Sequence, residues 1–195
     1  MKTSRRSREW PLIAFTLFGQ CAAGMLASWF AYELFGELPP LSLNEEAAWI
    51  IPAAITVMLG AAGLTAALHL RRPQRAVLAA SNWQRSWLSR EMAFSLLFGG
   101  STLLLTILQF IQLPLVLLRL GVRLAAIVFT GLLLWSMIRL YSLRTVPAWN
   151  SPATALSFFL SALILGPTAL FSLLNLAGSS LENITPPSPD AAAST

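Results

Sequence analysis

Charge is scarce in this sequence. Of 195 residues, 11% are charged, whereas an average soluble domain carries about a quarter of its residues charged. A soluble fold would have too little charge to cover its surface, and 56% of the residues are hydrophobic. The eight acidic residues lie outside the longest uncharged runs: Glu9, Glu33, Glu37, Glu45, Glu46, Glu91, Glu182 and Asp190. The composition therefore predicts an integral membrane protein.

Residues that bind metals are scarce as well. A single cysteine, Cys21, provides neither a disulfide framework nor a set of thiolates for zinc or an iron–sulfur cluster. A single histidine, His69, cannot supply two-histidine haem ligation. The sequence also lacks a phosphate-binding loop and a dinucleotide-binding fingerprint. We therefore predict no metal site, haem or iron–sulfur cluster in this protein, and no catalytic residue of a soluble-enzyme type.

Five apolar segments are long enough to cross a membrane, which takes about 20 residues in a helix. The predicted fold class is all-α, a polytopic transmembrane helix bundle of about five spans. These spans are expected at about 11–32, 48–69, 92–116, 121–141 and 153–176, and Pro167 is expected to kink the last one. A transmembrane domain over 10–178 then lies between a basic tail, 1–9, and a polar tail, 179–195, that is predicted to be disordered.

The distribution of basic residues predicts the topology. The net charge of +5 does not indicate a nucleic-acid partner, because the basic residues lie at the ends of apolar segments. Eleven of them fall on one side of the predicted bundle, and only Arg119 and Arg123 fall on the other. By the positive-inside rule, the amino terminus is predicted to be cytoplasmic. We interpret the arginine-rich start as the flank of an uncleaved first span, not as an export signal.

Small and polar residues in the spans indicate helix packing. Close backbone approach is expected at three pairs of positions: Gly19 with Ala23, Gly60 with Leu64, and Gly99 with Gly100. The polar residues Gln20, Thr56, Thr106 and Gln109 are scattered, as expected of ordinary interhelical hydrogen bonds. A small transporter or channel is the less favoured interpretation, since no polar ladder follows the spans.

The segment between the second and third spans is the one that points to chemistry. It contains His69, at the end of one apolar run, and Glu91, at the start of the next. The two side chains could converge at the mouth of one interhelical groove. Such a pair suits oxidation of a lipid quinol, because histidine can hold a quinol oxygen and a carboxylate can accept a proton. The alternative is that each residue simply complements a helix dipole, because histidine is favoured at a helix carboxyl end and glutamate at a helix amino end. Their spacing leaves both interpretations open.

The start of the third span carries further signals. Ser81 and Gln84 form a possible capping box, which predicts a helix that begins before the bilayer. Such a helix would bring Trp83 and Trp87 to one face at the level of the lipid headgroups. Glu91 would then stand at the depth where the hydrocarbon begins.

Three separated segments of the sequence resemble one family, the membrane anchor subunits of bacterial dimethyl sulfoxide reductase. They are His69 through Arg75 to Ser86-Trp87-Leu88-Ser89-Arg90-Glu91, the opening Glu9-Trp10-Pro11-Leu12-Ile13, and Arg144-Thr145-Val146-Pro147-Ala148-Trp149-Asn150. The resemblance implies an anchor in the bacterial inner membrane that binds and oxidises menaquinol. It also implies an iron–sulfur subunit that receives the electrons and a molybdopterin catalytic subunit that uses them.

The same resemblance assigns residues to the quinol site. It attributes quinol binding and proton acceptance to His69 and Glu91, with Trp87, Arg90 and Arg75 as supporting residues. Members of that family look like eight-span proteins, whereas about five spans are predicted in this sequence. A structural tether that holds soluble subunits through the basic loop from Arg71 to Arg90, without oxidising quinol, is the alternative.

Overall fold

Five long helices form the structure, a computed structural model that describes residues 10–35, 47–69, 83–84, 86–112, 114–142 and 150–184, without the side chains of 68–69 and 178–184. The helices are α1 (Trp10–Phe35), α2 (Ile50–His69), α3 (Trp87–Phe110), α4 (Val116–Tyr141) and α5 (Pro152–Ile184). No strand occurs in these ranges. The predicted all-α fold is confirmed, and all five helices are long and apolar enough to cross a membrane.

The helix bounds differ from the predicted spans at several places. Helix α3 begins five residues before the predicted span and ends six residues before its predicted end, and α4 begins five residues early, so that it includes Arg119. Arginine can lie in a spanning helix because its apolar stem packs along the helix while its charged head reaches the interface. Helix α5 continues to Ile184, beyond the predicted start of the disordered tail at 179, since no proline follows Pro167 before Pro186. The helix is continuous through Pro167, and the kink stays a prediction.

Helix α1 is the centre of the bundle. It contacts α2, α4 and α5, while α3 packs against α2 and α4. Half of the span of α1 is buried inside the protein, a larger share than in any other described helix. Large side chains from four helices fill the core, namely Met25, Leu26, Ile55, Phe98, Leu105, Leu133 and Met137. The outward faces carry large apolar side chains, as expected of surfaces that contact lipid.

The predicted small-residue contacts are partly correct. Ala23 is buried, and a Cβ atom built on Gly19 would lie 2.7 Å from the Met137 methyl carbon, so this part of α1 does allow close packing. Gly60 and Gly100 have nothing within 4 Å of a built Cβ atom, and the prediction of close approach there is wrong. Both glycines lie on helix faces that point away from the neighbouring helices, which sequence spacing alone does not reveal.

Polar contacts join the helices at two levels. The hydroxyl of Thr56 on α2 lies 2.9 Å from the hydroxyl of Thr102 on α3, which confirms an interhelical bond for Thr56. Thr106 instead donates to the Thr102 carbonyl oxygen in its own helix, so the interhelical bond predicted for it is not observed. At the carboxyl end of α1, Glu33 accepts a hydrogen bond from Arg123 of α4.

Candidate functional site at the start of the third span

The first turn of α3 is fixed by a serine cap and an arginine. The Ser86 hydroxyl oxygen accepts a hydrogen bond from the Ser89 backbone N–H at 3.3 Å, and Ser86 has the extended backbone typical of an N-cap. Arg90 donates from Nε to the Trp83 carbonyl oxygen at 3.0 Å and from Nη2 to that of Gln84 at 2.9 Å. Arg90 therefore holds the preceding turn against the helix.

These contacts correct the predicted capping box. The helix begins at Trp87 with Ser86 as its cap, so Gln84 lies in the turn before the helix and cannot be the third residue of a capping box. Ser81 lies outside the described residues. Trp83 and Trp87 consequently do not share a helix face, because Trp83 belongs to the turn.

Glu91 lies in the second turn of α3 and points into the bundle. It is 2% exposed and shares the buried face of the helix with Phe94 and Phe98. Its Oε1 atom has no hydrogen-bond partner among the described residues. Ser95 donates its hydroxyl to the Glu91 backbone carbonyl oxygen at 2.8 Å and so leaves the carboxyl group available. A buried carboxyl oxygen without a partner is costly, and such groups in membrane spans are frequently functional.

Tyr141 lies at the same end of the bundle as Glu91, and sequence reasoning missed it. It is the last residue of α4, which packs against α3, and its ring lies 5.4 Å from that of Phe158 on α5. Its position 50 residues after Glu91 gives no local signal in the sequence. The antiparallel packing of α3 and α4 brings the two together.

The other predicted site residues divide into two groups. His69 is the last residue of α2, as predicted, but its side chain lies outside the described part, as does Arg75. The convergence of His69 with Glu91 therefore stays a prediction. Trp87 and Arg90 do lie together, with the Arg90 Cζ atom 4.4 Å from the centroid of the Trp87 ring.

A cleft of about 400 Å³ lies between the start of α3 and the second half of α4, and we call it the Trp87 cleft. Its lining residues are Trp83, Gln84, Trp87, Arg90, Phe94, Leu132 and Trp135. Glu91 is not among them. The predicted supporting residues Trp87 and Arg90 thus face a cleft of their own, and the contribution of α4 to it was not predicted.

Sequence comparison decides the family. The family model described as DMSO reductase anchor subunit (DmsC) matches residues 4–186. The protein belongs to the DMSO reductase anchor subunit family. The resemblance found from the three sequence segments is therefore confirmed, over nearly the whole sequence.

Relatives of this anchor subunit family member are longer than the protein itself. It is 35% identical over 174 residues to the C subunit of anaerobic dimethyl sulfoxide reductase from Escherichia coli K12, covering 87% of this sequence and 59% of the relative. It is 29% identical over 176 residues to YnfH, another anaerobic dimethyl sulfoxide reductase subunit of the same organism, covering 87% and 58%. The protein thus spans about three fifths of the length of these relatives. No solved structure matches it.

Proposed function

We propose that this protein anchors a reductase complex of the dimethyl sulfoxide reductase type in the bacterial inner membrane, and that it binds and oxidises menaquinol. The observation that carries the proposal is Glu91, a carboxyl group buried in a spanning helix with an oxygen that lacks a partner among the described residues. Family membership supports the anchoring role, and relatives of the protein are named as parts of an anaerobic dimethyl sulfoxide reductase.

The proposed chemistry needs a proton acceptor close to the quinol. Menaquinol becomes menaquinone by losing two electrons and two protons. In the proposed mechanism, His69 holds one quinol oxygen, while the Glu91 carboxylate accepts a proton, passes it to interfacial water and is then ready for the second. The apolar surface between the helices would take the isoprenoid tail.

The electrons require partner subunits. Cys21 is the only cysteine in the sequence, so the protein offers no ligand set for a cluster of its own. We propose that an iron–sulfur subunit receives both electrons and passes them to a molybdopterin catalytic subunit, which reduces the terminal acceptor. The basic loop from Arg71 to Arg90 is the proposed contact surface for these subunits.

Quinol can reach Glu91 only after a neighbouring side chain moves. The carboxyl group is 2% exposed, and it does not line the Trp87 cleft. Trp87 lies one turn before Glu91 in α3 and is only partly buried, so it is a candidate for this movement. Quinol binding is therefore expected to change the environment of Trp87.

Conservative variants of Glu91 test the proposal in the assembled complex. Glu91→Gln keeps the size of the side chain but cannot accept a proton, and it should lower quinol-dependent turnover by about 100-fold or more. Glu91→Asp keeps a carboxyl group and should retain part of the activity. Ser95→Ala, one turn away, is the matched control and should leave turnover unchanged. Unchanged turnover in Glu91→Gln, with the complex still on the membrane, would contradict the assigned role.

A structural tether without quinol oxidation is the second candidate. The closed surface over Glu91 favours it, because no described cleft gives a quinol access to the carboxyl group. A tether should purify together with the iron–sulfur partner but without bound quinone. Quinone that purifies with the complex, and that is lost in Glu91→Lys, would exclude this candidate.

A further inference from the structure

Two arginines from different helices meet at Trp87. Arg90 of α3 lies with its Cζ atom 4.4 Å from the centroid of the Trp87 ring, and Arg139 of α4 lies 5.1 Å from the same centroid. Arg139 also lies 6.0 Å from the centroid of the Trp135 ring. We propose that this arrangement makes the Trp87 cleft a binding site for an anionic phospholipid, with Arg139 and Arg90 at the headgroup phosphate.

The guanidinium groups still have donors for a phosphate. Stacking on an aromatic ring uses the face of a guanidinium, while its five N–H groups point outward in the plane. No hydrogen bond from Arg139 is found within the described ranges, so its donors remain for another acceptor. Arg90 uses Nε and Nη2 for the carbonyl oxygens of the preceding turn, and its Nη1 group is still available. Arginine is well suited to this task, because its planar fork matches the oxygens of a phosphate.

The charge of the cleft is positive and uncompensated in its lining. Of its seven lining residues, Arg90 is basic and none is acidic. Arg139 is not a lining residue itself, but it lies beside two of them, Trp87 and Trp135. Glu91 follows Arg90 directly in the sequence, but its side chain points into the bundle and is buried. Basic pockets between spanning helices on the cytoplasmic side are typical binding sites for anionic lipid headgroups. By the distribution of basic residues, this end of α3 and α4 is the cytoplasmic one.

The aromatic lining favours a lipid over a free anion or a quinol. Trp83 and Trp135 are 48% and 54% exposed, and tryptophan prefers the level of the headgroups. Phe94 and Leu132 also line the cleft, and they form an apolar surface that can contact the first part of an acyl tail. A neutral quinol has no need of two cations, whereas a phosphodiester carries the complementary charge.

Binding of short-tailed lipids to this protein, purified in an uncharged detergent, tests the site. The probes are dihexanoyl phosphatidylglycerol, dihexanoyl phosphatidylcholine and inorganic phosphate, and the readout is binding by native mass spectrometry with Trp fluorescence. We expect phosphatidylglycerol to bind at least about fivefold more tightly than phosphatidylcholine, as expected of a basic headgroup pocket, and inorganic phosphate to compete poorly. Equal binding of the two lipids, or equally tight binding of free phosphate, would overturn the proposal.

Variants of Arg139 locate the site. Arg139→Gln should weaken phosphatidylglycerol binding about fivefold, as expected when one basic side chain near the headgroups is lost. Arg139→Lys keeps the charge but not the planar guanidinium group, and it should give an intermediate loss of phosphatidylglycerol affinity. It also serves as a control in case Arg139→Gln misfolds. Arg119→Gln removes the same charge from the other end of α4 and should leave binding unchanged. Equal losses in Arg119→Gln and Arg139→Gln would mean a general charge effect and contradict a site.

The lipid proposal does not depend on quinol oxidation, and a competition experiment distinguishes the lipid site from a quinol site. Displacement of bound phosphatidylglycerol by a short-tailed naphthoquinone would assign the Trp87 cleft to the quinol and overturn the lipid proposal. Phosphatidylglycerol that stays bound in the presence of the naphthoquinone, and that still binds to Glu91→Gln, supports a separate site, whatever the outcome for quinol turnover.

Discussion

Gly24 of α1 and Gly166 of α5 lie in backbone contact. A Cβ atom built on Gly24 would lie 1.9 Å from the Ala162 carbonyl oxygen, and one built on Gly166 would lie 2.1 Å from the Gly24 carbonyl carbon. Only glycine fits at either position, because no side-chain atom could move aside to make room. This contact attaches α5 to the central helix of the bundle.

Replacing either glycine by alanine should therefore separate α1 from α5. Gly24→Ala and Gly166→Ala should each lower the free energy of unfolding by about 1–3 kcal/mol, the usual cost of an overpacked contact. The measurement is unfolding of the purified protein in mixed micelles. Gly60→Ala is the matched control, since its built Cβ atom has nothing within 4 Å. Equal stability of Gly24→Ala and Gly60→Ala would show that the close contact does not form.

The ion pair between Glu33 and Arg123 should couple α1 to α4. Arg123 donates to the Glu33 carboxylate, and its Cζ atom lies 4.7 Å from the centroid of the Trp29 ring. Both side chains are partly exposed, so we expect a coupling energy of only about 1 kcal/mol. A double-mutant cycle with Glu33→Gln, Arg123→Gln and the double variant measures it. Strictly additive losses of stability would contradict the coupling.

The topology is open to a direct test. With eleven of the thirteen basic residues on one side, the amino terminus should be cytoplasmic and the end of the fifth span external. An alkaline phosphatase reporter fused after Thr195 should be active, while green fluorescent protein at the same place should be dark. The reverse pattern would invert the orientation of α1–α5 and place Glu91 near the external face.

Hydrophobicity was sufficient to predict the number and order of the helices, because spanning segments satisfy their backbone hydrogen bonds within themselves. It did not locate the helix bounds. The start of α3 depends on local contacts, namely the Ser86 cap and the hydrogen bonds of Arg90 to the preceding turn. In the sequence, Ser81 is an equally plausible cap, so the pattern alone does not identify the first residue of the helix. Gly24 and Gly166 were missed because a close approach depends on how two distant helices face one another, which spacing within one helix does not determine.

The candidate site was predictable only in its local part. Trp87, Arg90 and Glu91 stand within five residues, and the family resemblance singled them out. Trp135, Arg139 and Tyr141 enter through the packing of α4, and a single sequence holds no signal that joins them to α3. Burial of Glu91 likewise depends on the neighbouring helices, and sequence reasoning gave only its expected depth in the membrane, which stays a prediction.

Binding of a fluorescent quinol analogue is the most direct test of the proposed quinol site. It would be measured by fluorescence quenching in membranes that contain this protein with the proposed iron–sulfur partner, comparing the wild type with Glu91→Lys and His69→Arg. Ser95→Ala serves as a control for changes near Glu91 that leave its carboxyl group intact. The account predicts saturable binding in the wild type and the control, and its loss in both site variants. Binding that persists in Glu91→Lys, or is absent from the assembled wild-type complex, would contradict it.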